Sequence, residues 1–434
     1  MKMKSKAFTH RFWRVLFFCL FLFSSGKIQA QQVLTLKECV DIALQSNPDL
    51  AAAQQLVNKA KADYKASYSD FFPKLSATAG YNAANSAIIG AGSVQSTSNQ
   101  GTQQQLSVGP QLDQNIFAGY KNVGALQKSR SDLQAAEANL ALVKTQVSYN
   151  LRVAFANLLY NQKLLSLNQN IATRRQQNQK MIELRFLVGR ENKGTSLRSE
   201  AQSKQAEFEV SKTQQNLKVA MAQLAKALGK NELSEVSIKG EFQFHKAENT
   251  PNFEEISQHV PSYLQAKAQA DSSKSSVKIA RSGILPSVDA VANFAYIRND
   301  WQTDISRWTA GVNLSYPLSG RNYYEMKSAQ AEQHYNMQVL QSTQQANILS
   351  LKKTYSDYVT ALQAIDVQKK LVEAAEVREE IAKSQYNNGL LSYQDWDLIE
   401  NDLISNQQNL LLSYNTLMIA EAAWEQAQGK GIIP

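Results

Sequence analysis

The side chains that could do chemistry in this chain are charged rather than nucleophilic. Beyond the first thirty residues it holds His245, His259 and His334, at no metal-ligand spacing, and one cysteine, Cys39. A single cysteine excludes an intrachain disulfide and a cysteine-based zinc site. No Ser-His-Asp or Cys-His set and no Gly-rich phosphate loop occurs, so neither an enzyme nor a cofactor is expected. Charges gather instead around two glycine breaks. Arg174, Arg175, Lys180, Arg185, Arg190, Lys193 and Arg198 oppose Glu183, Glu191 and Glu200 around Gly189, while Glu373, Glu376, Glu379 and Glu380 precede Gly389. Basic groups there either complement a helix C-terminus and keep the surface soluble, or form a docking face. Asp397 and Glu400, like most carboxylates on long helices, are expected to be solvated. Trp396, Trp424 and Cys39 are read as packing residues.

The elements that position these groups occur twice. Pro48 and Pro261, then Pro73 and Pro286, are 213 residues apart; Gly189 and Gly389, then Gly229 and Gly429, are 200 apart. Fixed spacing between halves of low identity indicates a duplicated unit, here 31–240 and 241–434. Thr35-Leu36-Lys37-Glu38 has the capping-box form, and Asn47-Pro48 starts a second helix expected to run to Phe72. Asn252 with Glu255, then Pro261, repeat that plan. The long segments follow: 120–188 has one glycine, Gly124, and no proline, and 321–388 has neither. Each is about 100 Å long as a helix. Apolar residues step by three and four, as in Leu140, Val143, Val147, Leu151, Ala154 and Leu158, or Ile348, Leu351, Tyr355, Tyr358, Leu362 and Ile365, which is coiled-coil spacing. Each long helix turns at its glycine and returns as a shorter one, 196–228 and 393–428, with Gly229 and Gly429 as stops. In each unit the two short helices, end to end, nearly match one long helix.

Between stopping proline and long helix the period changes to two. Leu75, Ala77, Ala79 and Tyr81 pair with a return strand of Leu106, Val108, Pro110 and Leu112; Val288, Ala290, Ala292, Phe294 and Tyr296 pair with Trp308, Ala310, Val312, Leu314, Tyr316 and Leu318. The hairpins are placed at about 74–114 and 287–318, with loops at about 84–104 and 298–306. One apolar and one Gly/Ser/Asn-rich face matches membrane barrel staves better than a half-buried sheet, and Tyr296, Trp301, Trp308 and Tyr316 suit an interfacial belt.

Residues 1–30 read as an export signal: Lys2, Lys4, Lys6, Arg11 and Arg14, then an apolar core from Val15 to Phe23, then a small residue, Ala30, before Gln31. That core is too short to span a bilayer, and Cys19 sits behind Phe17-Phe18 rather than small residues, against a lipid anchor. With Lys27 the leader carries six basic residues and no acid, so the net charge falls from +9 to about +3 without it. A nucleic-acid partner loses its main support. Any membrane entry must be by strands, and four strands leave two open edges that lipid cannot tolerate. Further copies of the chain must close the sheet.

Leu34-Thr35-Leu36-Lys37-Glu38-Cys39-Val40-Asp41-Ile42-Ala43-Leu44, followed by Asn47-Pro48-Asp49-Leu50, resembles the opening signature of the TolC-type outer-membrane efflux proteins, and the layout fits throughout. The resemblance implies a mainly α fold with a small β part: two tandem repeats whose antiparallel coiled-coil helices form an α-helical barrel, and four strands per chain in a trimeric 12-stranded transmembrane barrel. It implies an outer-membrane exit duct of a tripartite efflux or type I secretion system, reached from an inner-membrane pump of RND or ABC type through a periplasmic adaptor. The runner-up is a soluble periplasmic coiled-coil tether or adaptor. By the same resemblance Tyr386, Gly389 and Asp395 are candidates for the periplasmic aperture, and Asp397, near them in sequence, is a further candidate without a counterpart in the resemblance. Arg185, Gly189, Arg190, Tyr386 and Gly389 are candidates for adaptor docking, so reversing Arg185 and Arg190 to Glu should abolish export. Leu391, Leu398 and Thr195 stand where the enteric prototype has an arginine, an aspartate and an acid, so its detailed latch is not carried over.

Overall fold

The computed structural model describes residues 32–85, 102–232, 236–242, 250–299 and 303–434. The export-signal reading of 1–30, the tip of the first hairpin and Trp301 lie outside them. Strand β1 (Gln32–Leu34) leads to helices α1 (Leu36–Ser46) and α2 (Pro48–Ser69), hairpin strands β2 (Lys74–Asn85) and β3 (Thr102–Ala118), and helices α3 (Lys121–Leu187) and α4 (Lys193–Ala227). After β4 (Val236–Ile238) come α5 (Phe253–Ser257), α6 (Pro261–Ser282), β5 (Ser287–Asn299), β6 (Thr303–Ser315), α7 (Gly320–Asn387) and α8 (Tyr393–Ala427). The start signals act locally. Thr35 Oγ1 accepts from Glu38 N while Glu38 Oε2 accepts from Thr35 N at 2.7 Å, and Asn47 Oδ1 accepts from Asp49 N at 3.0 Å at the head of α2.

Several boundaries differ from the expected ones. Helix α2 stops at Ser69, not Phe72, because a turn precedes Pro73. Strand β3 runs to Ala118 rather than about 114, carried past a register shift between Asn115 and Phe117. The second hairpin is tighter than expected, since Arg298 pairs with Asp304 and Asn299 with Thr303. It ends at Ser315 rather than 318, and α4 begins at Lys193 rather than 196, where the Asn192 side chain caps it.

Contacts order the helices in two tiers. Beside the sheet the row is α2, α3, α6, α7; beyond it the row is α4, α3, α8, α7. The unbroken α3 and α7 thus serve both tiers, and short helices meet end to end between them. Gly229, just past α4, and Gly429, just past α8, both have left-handed φ (+76° and +75°). A Cβ at Gly229 would overlap the Ser46 carbonyl, and one at Gly429 would overlap Pro261 Cδ. Ser46 Oγ donates to Leu228 O at 2.8 Å and Asn47 Nδ2 to Ala227 O at 3.1 Å, which fastens the α4–α2 joint. Around it Leu34, Cys39, Leu151, Phe155, Leu158, Leu224 and Leu228 form the largest core cluster. Burial pushes the Cys39 thiol up to about 11.

The strands form one antiparallel sheet in the order β2-β3-β5-β6. Register puts Leu75 opposite Leu112, Ala79 opposite Val108, Ala290 opposite Val312 and Phe294 opposite Trp308 on one face. That face stays uncovered in the single chain: Leu75 and Trp308 are each 75% exposed and Leu314 72%. Exposed apolar area on this scale marks a surface that meets something other than water. Among the described residues no helix is long and apolar enough to cross a membrane.

Candidate functional site at the helix turns

The end of the helical tier farthest from the sheet is closed by two matching turns. Gly189 and Gly389 have φ of +76° and +77°. Arg190 N donates to Arg185 O at 2.8 Å and Leu390 N to Gln385 O at 2.9 Å, satisfying the last carbonyls of α3 and α7. Nothing lies within 4 Å of a Cβ at either glycine, so both turns are open surface. The next helix is capped in each case: Thr195 N donates to Asn192 Oδ1 at 2.9 Å, and Asp395 N to Ser392 Oγ at 3.2 Å. Ser392 Oγ also donates to Asp395 Oδ2 at 2.6 Å, so the aperture candidate Asp395 is an exposed capping carboxylate.

Tyr386 is the centre of an aromatic lock. Its ring stacks on Trp396 with centroids 4.8 Å apart, meets Tyr393 edge-on, and carries the Arg185 guanidinium 4.5 Å above its centroid. Its hydroxyl donates to Glu191 Oε1 at 2.7 Å, and burial, then Glu191, push its pKa upward. Arg185 also donates from Nη1 to Tyr386 O at 3.3 Å and from Nη2 to Asn387 O at 3.2 Å. It therefore caps the end of α7 from α3, where a cation is electrostatically favoured. Arg190, by contrast, is exposed.

The expectation that Asp397 and Glu400 are solvated is overturned. Asp397 is 0% and Glu400 1% exposed, in a network joining three helices. From α3, Arg175 Nη1 donates to Asp397 Oδ1 at 3.2 Å and to Glu400 Oε2 at 2.8 Å, Arg174 Nε to Glu400 Oε1 at 3.1 Å, and Asn178 Nδ2 to both Glu400 oxygens. From α4, Arg198 Nη2 donates to Asp397 Oδ2 at 2.7 Å, and Gln202 Nε2 reaches Oδ1. The carboxylates are buried because their positions on α8 face α3 and three guanidiniums meet them there. Asp397 is thus no free aperture group; Leu398, beside it, is 59% exposed. Burial raises the Glu400 pKa against the pull of Arg175 and Arg174. It pushes the Tyr393 hydroxyl, which donates to Gln202 Oε1 at 2.7 Å, up to about 12.

Long antiparallel helix pairs, a small open-edged sheet with a bare apolar face, and capped turns at the far end make an unusual set. A family model described as "outer membrane efflux protein" matches residues 39–230 and 253–430. The chain belongs to the outer membrane efflux protein family. It is similar to the probable outer membrane lipoprotein SilC of Salmonella typhimurium, 21% identical over 385 residues, which cover 86% of this chain and 81% of that one. Its fold is that of the Campylobacter jejuni CmeC outer membrane channel (TM-score 0.80, 18% identity, covering 91% of this chain and 85% of CmeC). The open-state MtrE outer membrane channel of Neisseria gonorrhoeae is similar too (TM-score 0.79, 17% identity, covering 92% and 89%). As an outer membrane efflux protein, this mostly helical chain is an exit duct seated in the outer membrane, with its helices extending into the periplasm.

Proposed function

We propose that three copies close a twelve-stranded barrel continuous with a helical tube, which receives substrates from an inner-membrane pump through a periplasmic adaptor. The supporting observation is the sheet: β2 and β6 are its free edges, and its apolar face has no cover. Open edges are untenable in lipid, so strands from other copies must complete them. The number three comes from the family resemblance. Two separate matches of one family model support reading 31–240 and 241–434 as tandem units, and the role is that of a passive conduit rather than an enzyme. A soluble tether would leave the paired amphipathic hairpins without a purpose.

Protein extracted from outer membranes should run as a heat-sensitive trimer and conduct ions in planar lipid; a monomer without conductance would end this reading. On β6 the two faces should respond oppositely. Val312→Lys, on the bare apolar face, should cost about 1–2 kcal/mol per copy and reduce trimer recovery, whereas Thr309→Lys on the other face should be tolerated.

The far turns are the proposed periplasmic mouth, with Gly389 and Asp395 lining it, the buried Tyr386 locking the turn behind them, and Gly189, Arg190 and Gly389 meeting the adaptor. Arg185 is a poor choice for a docking test because its reversal would set a carboxylate against the α7 carbonyls. Arg190→Glu alone is the clean variant: export should fall while trimer and membrane insertion persist, assayed by substrate accumulation beside heat-modified gel mobility.

A further inference from the structure

Beyond that conduit reading, on which it rests, we propose that the helix ends beside the sheet carry a binding surface for anionic phospholipid. The occupant is the phosphate-bearing headgroup layer of the leaflet on the helix side of the outer membrane.

Charge is the first observation. Within ten residues of the sheet, α2 (60–69), α3 (121–130), α6 (273–282) and α7 (320–329) hold ten lysines and arginines against two acids. Without residues 1–30 the whole chain carries only about +3, so the excess belongs to this band. Both acids are engaged in ion pairs, Asp63 with Lys59 at 2.9 Å and Glu325 with Arg321 at 2.8 Å. Arg130, Lys274, Lys278, Arg281 and Lys327 are exposed, and among the described residues none of the five has a carboxylate partner.

The second observation is the side on which they lie. Phe117 stands opposite Val288, on the apolar face of the sheet, and its ring meets Tyr120 edge-on with centroids 5.5 Å apart. Tyr120, at the head of α3, therefore prolongs the bare apolar surface past the last strand residue. Val123, Gln127 and Arg130 follow it at helical spacing down one side of α3. Lys278 Nζ donates to Gln127 Oε1 at 2.7 Å, which places Lys278, and with it Lys274 and Arg281 on the same stripe of α6, on that side too. Tyr323 and Lys327, 200 residues after Val123 and Gln127, repeat the arrangement on α7, with the ammonium 5.8 Å from the ring centroid. The opposite side of the α3–α6 contact is different in kind: there Lys128 pairs with Asp132 at 2.8 Å and donates to Ser272. Cations are neutralised on one side and left without acids on the side continuous with the apolar sheet face.

The aromatic groups sit where a bilayer ends. Tyr120 has φ +71°, a left-handed conformation unusual for a bulky residue, and is more than half exposed, as are Phe72, Tyr316, Leu318 and Tyr324 at the α2 and α7 ends. An apolar ring with a polar tip suits the boundary between acyl chains and water. Lys278 and Arg281 lie within about 6 Å of the end of α6, the depth of a headgroup layer. Lys274 and Arg130, one or two turns farther, can extend their stems toward it. Apolar groups first and unneutralised cations just below is the order in which a leaflet passes from hydrocarbon to phosphate.

Native mass spectrometry of the detergent-extracted assembly, titrated with phosphatidylglycerol or with phosphatidylcholine of the same acyl chains, reads the preference directly. Phosphatidylglycerol should bind at least about fivefold more tightly, and Lys274→Gln/Lys278→Gln/Arg281→Gln/Lys327→Gln should bring the ratio below about twofold. Removing the same charge far from the sheet, with Lys204, Lys212, Lys218 and Lys226 of α4 all changed to Gln, should leave the ratio unchanged. An unmodified protein without the preference, a sheet-end variant that keeps it, or an α4 variant that loses it equally would each overturn the proposal. So would a sheet-end variant that loses binding of lipopolysaccharide instead, which would put the site in the other leaflet. If four changes impair assembly, Lys278→Gln/Arg281→Gln should still lower the ratio by about half and carries the same outcomes. The conduit reading fails on a different observation, a monomer without conductance, so the two failures are separable.

Discussion

Arg175→Met should destabilise the helical tier by about 3–5 kcal/mol, because it leaves Asp397 and Glu400 buried without their shared guanidinium. Urea unfolding of detergent-extracted protein, followed by far-UV circular dichroism, would register the loss. The triple variant Arg175→Met/Asp397→Leu/Glu400→Met should recover most of it. Well-packed apolar side chains can replace a buried ion cluster at little cost, and Arg174 and Arg198, both partly exposed, can turn to water. A triple variant no better than Arg175→Met would mean that methionine simply packs badly there. The Glu400 shift has a definite sign. Its folded pKa is raised, so its contribution is fully present below the ordinary carboxylate value and is lost as pH rises through the raised one. Glu400→Gln should therefore flatten the decline of stability over that window.

The second large effect concerns four glycines that share one backbone conformation. Gly389→Ala should cost about 1–2 kcal/mol, the left-handed penalty alone, since nothing lies within 4 Å of the new Cβ. Gly229→Ala should cost about 2–5 kcal/mol, because the added methyl also overlaps the Ser46 carbonyl and lies 2.7 Å from Asn47 Cα. Those atoms are backbone and cannot rotate away. Paired urea titrations would give the difference; equal costs would mean that the α4–α2 joint is looser than its contacts indicate.

Proline and glycine signals made much of the architecture legible from composition and spacing. Asn47-Pro48 starts a helix because it supplies a side-chain cap and a residue without an N–H, both purely local effects. Gly189 and Gly389 end helices because only glycine enters the left-handed region without strain. The alternating faces of β2, β3, β5 and β6 were equally readable, since the period of two belongs to the strand itself. The interior of the site was harder to read. Following the three-and-four step of α3 past Leu165 leads through Asn168, Ile171, Arg175, Asn178 and Ile182, all buried. Carried that far, the pattern would have placed Arg175 in the seam; the assumption that helical carboxylates are solvated hid its partners. Arg185 capping α7 and Glu191 accepting from Tyr386 join residues 201 and 195 positions apart, and no local rule reports such pairs.

The two tiers also constrain how such a chain can vary in length. The short helices abut at Gly229 and Gly429 like courses of brick, and each joint is spanned by an unbroken long helix alongside. One residue inserted in the middle of α3 would rotate everything after it by about 100°, turning Arg175 away from Asp397 and Arg185 away from Tyr386. Drift in chain length among descendants of this molecule should therefore spare the tall rods, which keep their count.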